Sequence, residues 1–121
     1  MKIIAIEEHV LPETVRQAWS TLPGGDDGTL ALNAGQLGER LADLAEQRLA
    51  LMDETGVDVQ VLSLTTPGLN NLGHHGIDLA RRVNDLLAET AAANPSRIAP
   101  FALIVRGYAA TQITAEETTH P

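Results

Sequence analysis

Glu7 and His9 are the residues of this chain whose types and spacing first suggest chemistry. They close an apolar run, Ile3 to Ile6, and Glu8 stands between them. Side chains at i and i+2 of a strand share a face. A carboxylate and an imidazole so placed offer an oxygen and a nitrogen donor to one divalent ion. The same residues also suit an ordinary polar strand end, with Glu7 closing a turn and Glu8 and His9 in water. Spacing alone leaves both readings open, and a metal site needs at least one more ligand.

His74 and His75 form the second candidate, in the glycine-rich stretch Gly73 to Gly76. Histidines titrate near neutral pH and serve as acid, base or ligand. Adjacent positions, however, give neither the strand i, i+2 nor the helical i, i+4 geometry that lets two rings chelate from one face. A solvated loop is the competing reading. Arg48 lies on the apolar stripe of a helical segment, where a guanidinium needs a carboxylate partner. It is read as structural. Asp53 and Asp58 flank a helix-to-strand turn and are read as cap and turn residues. No serine elbow, phosphate-binding glycine loop or dinucleotide fingerprint is present.

The elements that must hold these residues follow from the apolar pattern. Residues 2–6 read as a buried strand and residues 20–36, with Pro23 and several glycines, as a long loop. Residues 37–55 read as one amphipathic helix, with Leu37, Leu41, Leu44, Leu51 and Met52 on its inner face and Gly56 as its stop. Residues 57–64 form a second strand. A loop over 65–76 and a helix over 77–93, ended by Asn94-Pro95, lead to a third strand over 97–105. Strand, helix, strand, helix, strand in this order means an α/β fold, a parallel βαβαβ unit with right-handed crossovers. Such a sheet expects cover on both faces, and three strands leave open edges for association. The last segment, 105–121, has no strong period and is expected to be a poorly ordered tail.

The chain has 121 residues, one domain at most, with 44% apolar and 20% charged residues. Aromatics are 2%, so the core must be aliphatic. The net charge of −8 speaks against nucleic-acid and anionic-membrane partners. With no cysteine there is no disulfide, thiolate site or thiol nucleophile. The first apolar stretch is too short for a secretory signal, and no membrane span is visible. A cytoplasmic protein is expected.

Four features in order, "KIIAIEEHVLPET" at the start, "RLALMDETGVDVQVLSLTTPG" at 48–68, "ARRVNDLLAETAAANPSRIAPFA" at 80–102 and the spacing between them, resemble the amidohydrolase-related TIM-barrel family. The resemblance is to its metal-dependent aromatic-acid decarboxylase branch, which includes γ-resorcylate, 2,3-dihydroxybenzoate and aminocarboxymuconate semialdehyde decarboxylases. It covers residues 2 to about 104, so residues 1–104 would be an amino-terminal part of a (β/α)8 barrel, about three of its eight strands. It implies that Glu7 and His9 bind a catalytic divalent metal, Zn or Mn with Mg as a further option. It implies that the loop Ser63 to Gly68 (Ser63, Thr65, Thr66, Pro67, Gly68) lines the pocket of a small carboxylic acid substrate. Asn84, in "RRVND", matches a recurrent helix position read as structural.

The family's other ligands, a histidine from a middle strand and an aspartate from the last, fall beyond the third strand. The resemblance therefore implies the front portion of a carboxy-lyase, inactive by itself. The alternatives are a metal-dependent hydrolase of the same superfamily and a non-catalytic α/β fragment that self-associates or complements another chain. Relatives are commonly oligomers, so a homo-oligomer is expected.

Overall fold

In the computed structural model, residues 1–22 and 33–103 are described; most of the expected loop at 20–36 and all of the tail at 105–121 lie outside them. The elements are β1 (Ile4–Val10), α1 (Glu13–Ser20), α2 (Gly35–Ala42), α3 (Glu46–Thr55), β2 (Val59–Leu64), a single 3-10 turn (Asn70–Leu72), α4 (His75–Ala93) and β3 (Ile98–Pro100). The three strands form one sheet in the order β1-β2-β3, and both pairings are parallel. This is the expected βαβαβ unit.

One face of the sheet is covered. Val10 and Leu62, both 0% exposed, meet Val15 and Trp19 of α1 and Leu79, Val83 and Leu87 of α4 in one apolar cluster. The positions 79, 80, 83 and 87 fall along one stripe of α4, as the sequence period requires. Among the described residues no element covers the other face, where Ile4 is 55% and Ile6 66% exposed. Cover on both faces, expected from the apolar strands, is thus met on the helix side alone.

Several boundaries differ from the sequence expectation, each for a local reason. The single helix over 37–55 is two helices. Asp43 leaves the helical region at φ −79° and ψ 117°, and its Oδ2 accepts the Arg48 backbone N–H at 2.8 Å. A short acidic side chain that bonds nearby backbone competes with helix continuation in this way. The break re-aims the stripe: Met52 is buried, whereas Leu37 and Leu51 are half exposed. Gly56 stops α3 as expected, at φ 82°, with its N–H on the Met52 carbonyl.

α1 was not foreseen, and α4 begins two residues early, at His75. There the chain passes so close to Leu69 that a Cβ on Gly76 would lie 2.9 Å from the Leu69 carbonyl oxygen. β3 is much shorter than 97–105. The Phe101 N–H still donates to the Leu62 carbonyl at 2.8 Å, and beyond it Asn84 takes over. The Asn84 side chain accepts the Leu103 N–H at 2.7 Å and donates to its carbonyl at 3.1 Å. The structural role read for Asn84 is this clamp between α4 and the chain after β3.

Candidate metal centre

The Glu-Glu-His segment is not the tip of a strand. It lies within β1, which runs on to Val10. The interior of that strand is irregular. Ala5 faces Gln60 and Glu8 faces Leu62, so β1 uses one residue more than β2 over this interval. The irregularity is a β-bulge. Glu7 sits in it at φ 60°, a left-handed conformation and the only positive φ at a non-glycine among the described residues.

The bulge decides which way the ionisable side chains face. In a regular strand Ala5, Glu7 and His9 would share one face, and Ala5 lies opposite Gln60 on the helix side. The extra residue reverses this. Glu8, opposite buried Leu62, is partly buried and lines a cleft of about 350 Å³ with Arg40, Asp43, Arg48 and Gln60. Val10 follows it into the core. His9, opposite Ser63, belongs to the bare face with Ile4 and Ile6. Both Glu7 and His9 are exposed. His9 therefore stands on the uncovered side and Glu7 is exposed in the bulge beside it, with Glu8 turned to the helices.

Arg48 holds this segment from the helix side. Its Nη2 donates to the His9 carbonyl at 3.1 Å, its Nη1 to Gln60 Oε1 at 3.0 Å and its Nε to the Asp43 carbonyl at 3.2 Å. Burial draws the guanidinium pKa below its ordinary value, while the carboxylates of Asp43 and Glu8 oppose that shift. The expectation of a carboxylate partner is met only in part. Its guanidinium hydrogen bonds go to two carbonyls and an amide, and the carboxylates act through charge. Asp53 and Asp58 hold the far end of the sheet. Asp53 pairs with Arg97 at 2.8 Å, and Asp58 Oδ2 accepts the Ile3 N–H at 2.7 Å.

The expected pocket loop begins beside His9. Ser63 is its register partner, and the Thr65 N–H donates to the Val10 carbonyl at 3.0 Å. The loop then turns through a cis Thr66–Pro67 bond to Gly68 at φ 67°. The indole N–H of buried Trp19 fixes that turn on the Gly68 carbonyl at 2.8 Å. Trp19 was missed because its signal, one large aromatic in a helix not foreseen from the sequence, carries no motif.

His74 and His75 open α4 and are exposed. They do not join Glu7 and His9, since among the described residues no group of three or more His, Cys, Asp or Glu gathers at one point. The donor set that this part of the chain offers is one carboxylate and one imidazole. Mixed oxygen and nitrogen donors suit manganese and zinc, so these two residues fit part of a divalent metal site.

Comparison with known proteins agrees with the fold and the motifs. No protein-family model matches the chain. The chain is 38% identical over 104 residues to γ-resorcylate decarboxylase of Rhodococcus jostii, which is 84% of this chain and 30% of that enzyme. Its structure resembles 5-carboxyvanillate decarboxylase of Novosphingobium aromaticivorans, bound to manganese and 4-hydroxy-3-methoxy-5-nitrobenzoic acid, with a TM-score of 0.79 and 28% identity. That match covers 98% of this chain and 39% of the other. It also resembles a dihydroxybenzoic acid decarboxylase of a Polaromonas species, bound to manganese and 2-nitroresorcinol. There the TM-score is 0.62 at 34% identity, over 86% of this chain and 30% of the other. The parallel strands and their helices thus correspond to part of a TIM-barrel decarboxylase. This chain is a homologue of the γ-resorcylate and carboxyvanillate decarboxylases of the amidohydrolase-related family, and it spans about a third of their length.

Proposed function

We propose that this chain is the amino-terminal portion of a metal-dependent carboxy-lyase acting on a hydroxylated aromatic acid, and that it does not complete the reaction alone. The observation that carries the reading is the bulge at Glu7, which leaves Glu7 and His9 exposed while Glu8 turns to the helices. In a closed barrel the bare face of the sheet becomes the interior, and sites form there at the carboxyl ends of the strands. Glu7 and His9 would hold a divalent ion, manganese or zinc, whose positive charge would draw in the acid and offset negative charge developing on it.

The chain's own residues have the remaining roles. Glu7 supplies a negative oxygen donor, and His9 supplies a neutral nitrogen donor on a backbone held by Arg48. Ser63 stands next to His9 in register and offers a hydroxyl to a carboxylate or phenol bound there. Thr65, Thr66, Pro67 and Gly68 wall one side, and Trp19 keeps that wall in place. Ile4 and Ile6 supply apolar surface below the donors. Protonation is assigned to a group outside this portion.

Complementation tests the proposal. The chain, with Mn2+, is co-expressed with the remaining two thirds of a γ-resorcylate decarboxylase and assayed for carbon dioxide release from 2,6-dihydroxybenzoate. Activity is expected from the pair and from neither piece alone. It should vanish in Glu7→Gln and His9→Ala and survive in Glu8→Gln. A folded, associated pair with no lyase activity, or activity indifferent to Glu7 and His9, refutes the assignment. Among the described residues no helix is long and apolar enough to cross a membrane. The cytoplasmic setting and self-association are part of the same proposal.

A further inference from the structure

We propose that Arg48 is a positioning residue that fixes the register of β1, and through it the direction in which Glu7 and His9 face. The inference rests on the metal reading for its purpose but not for its geometry. Gln60 lies opposite Ala5, on the near side of the bulge, and His9 lies on the far side. The Arg48 guanidinium donates to both, to Gln60 Oε1 at 3.0 Å and to the His9 carbonyl at 3.1 Å. One planar group thus bridges the bulge from the helix side, and its planar fork makes the two bonds mutually constraining.

Arg48 is itself fixed. Its Nε donates to the Asp43 carbonyl and its backbone N–H to Asp43 Oδ2, so the break between α2 and α3 sets the guanidinium's position. Glu8, turned into the same cleft, adds its charge to Asp43's in holding the cation there. The bridge matters because the competing register is only one residue away. A regular β1 would turn Glu7 and His9 toward the helices and Glu8 toward the bare face. It would also relieve Glu7 of its left-handed backbone, so local strain favours the wrong register. Ile4 and Ile6 are exposed on the bare face in either case, so the slip is opposed by the loss of Val10 from the core and by the Arg48 bridge. The bond to the His9 carbonyl resists it directly.

The experiment is backbone NMR on the full 121-residue chain, wild type against Arg48→Met. Contacts of Glu8 with Leu62 and His9 with Ser63 report the bulged register, and contacts of Gln60 with Ile98 report the rest of the sheet. Arg48→Met should lose or shift the first set by one residue while the second set persists. Loss of both sets together would mean a general structural role and would overturn the proposal, as would retention of both. If Arg48→Met does not fold, Gln60→Met removes one anchor of the bridge and is read the same way. In parallel, Mn2+ affinity should fall by roughly 10- to 100-fold, the usual cost of losing a group that orients a ligand. A wild-type chain that binds no Mn2+ would refute the metal reading, and the register contacts would still decide this one.

Discussion

Replacing Glu7 by glycine and, separately, by alanine tests the bulge through the sign of one energy difference. Both variants lack the carboxylate, so charge and metal binding cancel between them, and only a Cβ at φ 60° separates the two. Holding an L-residue in the left-handed region costs about 1–2 kcal/mol. Glycine escapes that cost but gives back about 0.4–1 kcal/mol through its freer unfolded chain. Glu7→Gly should therefore be the more stable variant, by about 0.5–1 kcal/mol taken from those two terms. In a regular strand the order reverses, because glycine is there the weaker residue by about 0.5–1 kcal/mol. Urea unfolding reads the difference. Trp19, the only tryptophan in the sequence and 2% exposed, serves as the fluorescent probe. With a slope of about 1 kcal/mol per molar, the Glu7→Gly midpoint should lie roughly 0.5–1 M above that of Glu7→Ala. Equal midpoints, or a higher one for alanine, would remove the bulge and with it the argument for which way these residues face.

Three further substitutions probe what holds the site. Trp19→Phe leaves the Gly68 carbonyl without its indole donor and should cost about 1–3 kcal/mol, read by urea unfolding followed by circular dichroism. Leu87→Ala, at a position 1% exposed, should cost about 2–5 kcal/mol, whereas Leu86→Ala, at a position 37% exposed outside the core cluster, should cost clearly less, about 1 kcal/mol or below. Thermal unfolding of the two checks which face of α4 is inward. Asn84→Ala removes both bonds to Leu103, worth about 0.5–1.5 kcal/mol each. Hydrogen exchange at the Leu103 amide should speed up while that at Val61 holds.

The alternation of elements was legible because aliphatic strands and helical stripes carry different periods, and it gave the parallel βαβαβ unit. The i, i+2 spacing also picked out Glu7 and His9 as a pair. It could not say which face they occupy, because spacing arguments presume a regular strand and a bulge at a glutamate leaves no residue signature. The break at Asp43 was hidden for a similar reason. An acidic residue inside an apolar stripe reads equally as a solvated position or as a cap, and only the position of the Arg48 amide decides. The short β3 depended on a partner nineteen residues away in sequence, the Asn84 side chain, which no local pattern reveals. Arg48 was recognised as structural, but its grip on the His9 carbonyl spans thirty-nine residues.

Whether Glu7 and His9 hold a divalent ion is tested by Mn2+ titration of the isotope-labelled chain, followed by paramagnetic broadening of its NMR signals. Broadening is expected to centre on Glu7, His9 and Ser63. It should be abolished by Glu7→Gln or His9→Ala and unchanged by Glu8→Gln. Broadening centred on Glu8, Asp43 and Glu54, which line the helix-side cleft, or a Glu8→Gln effect equal to that of Glu7→Gln, would contradict this assignment.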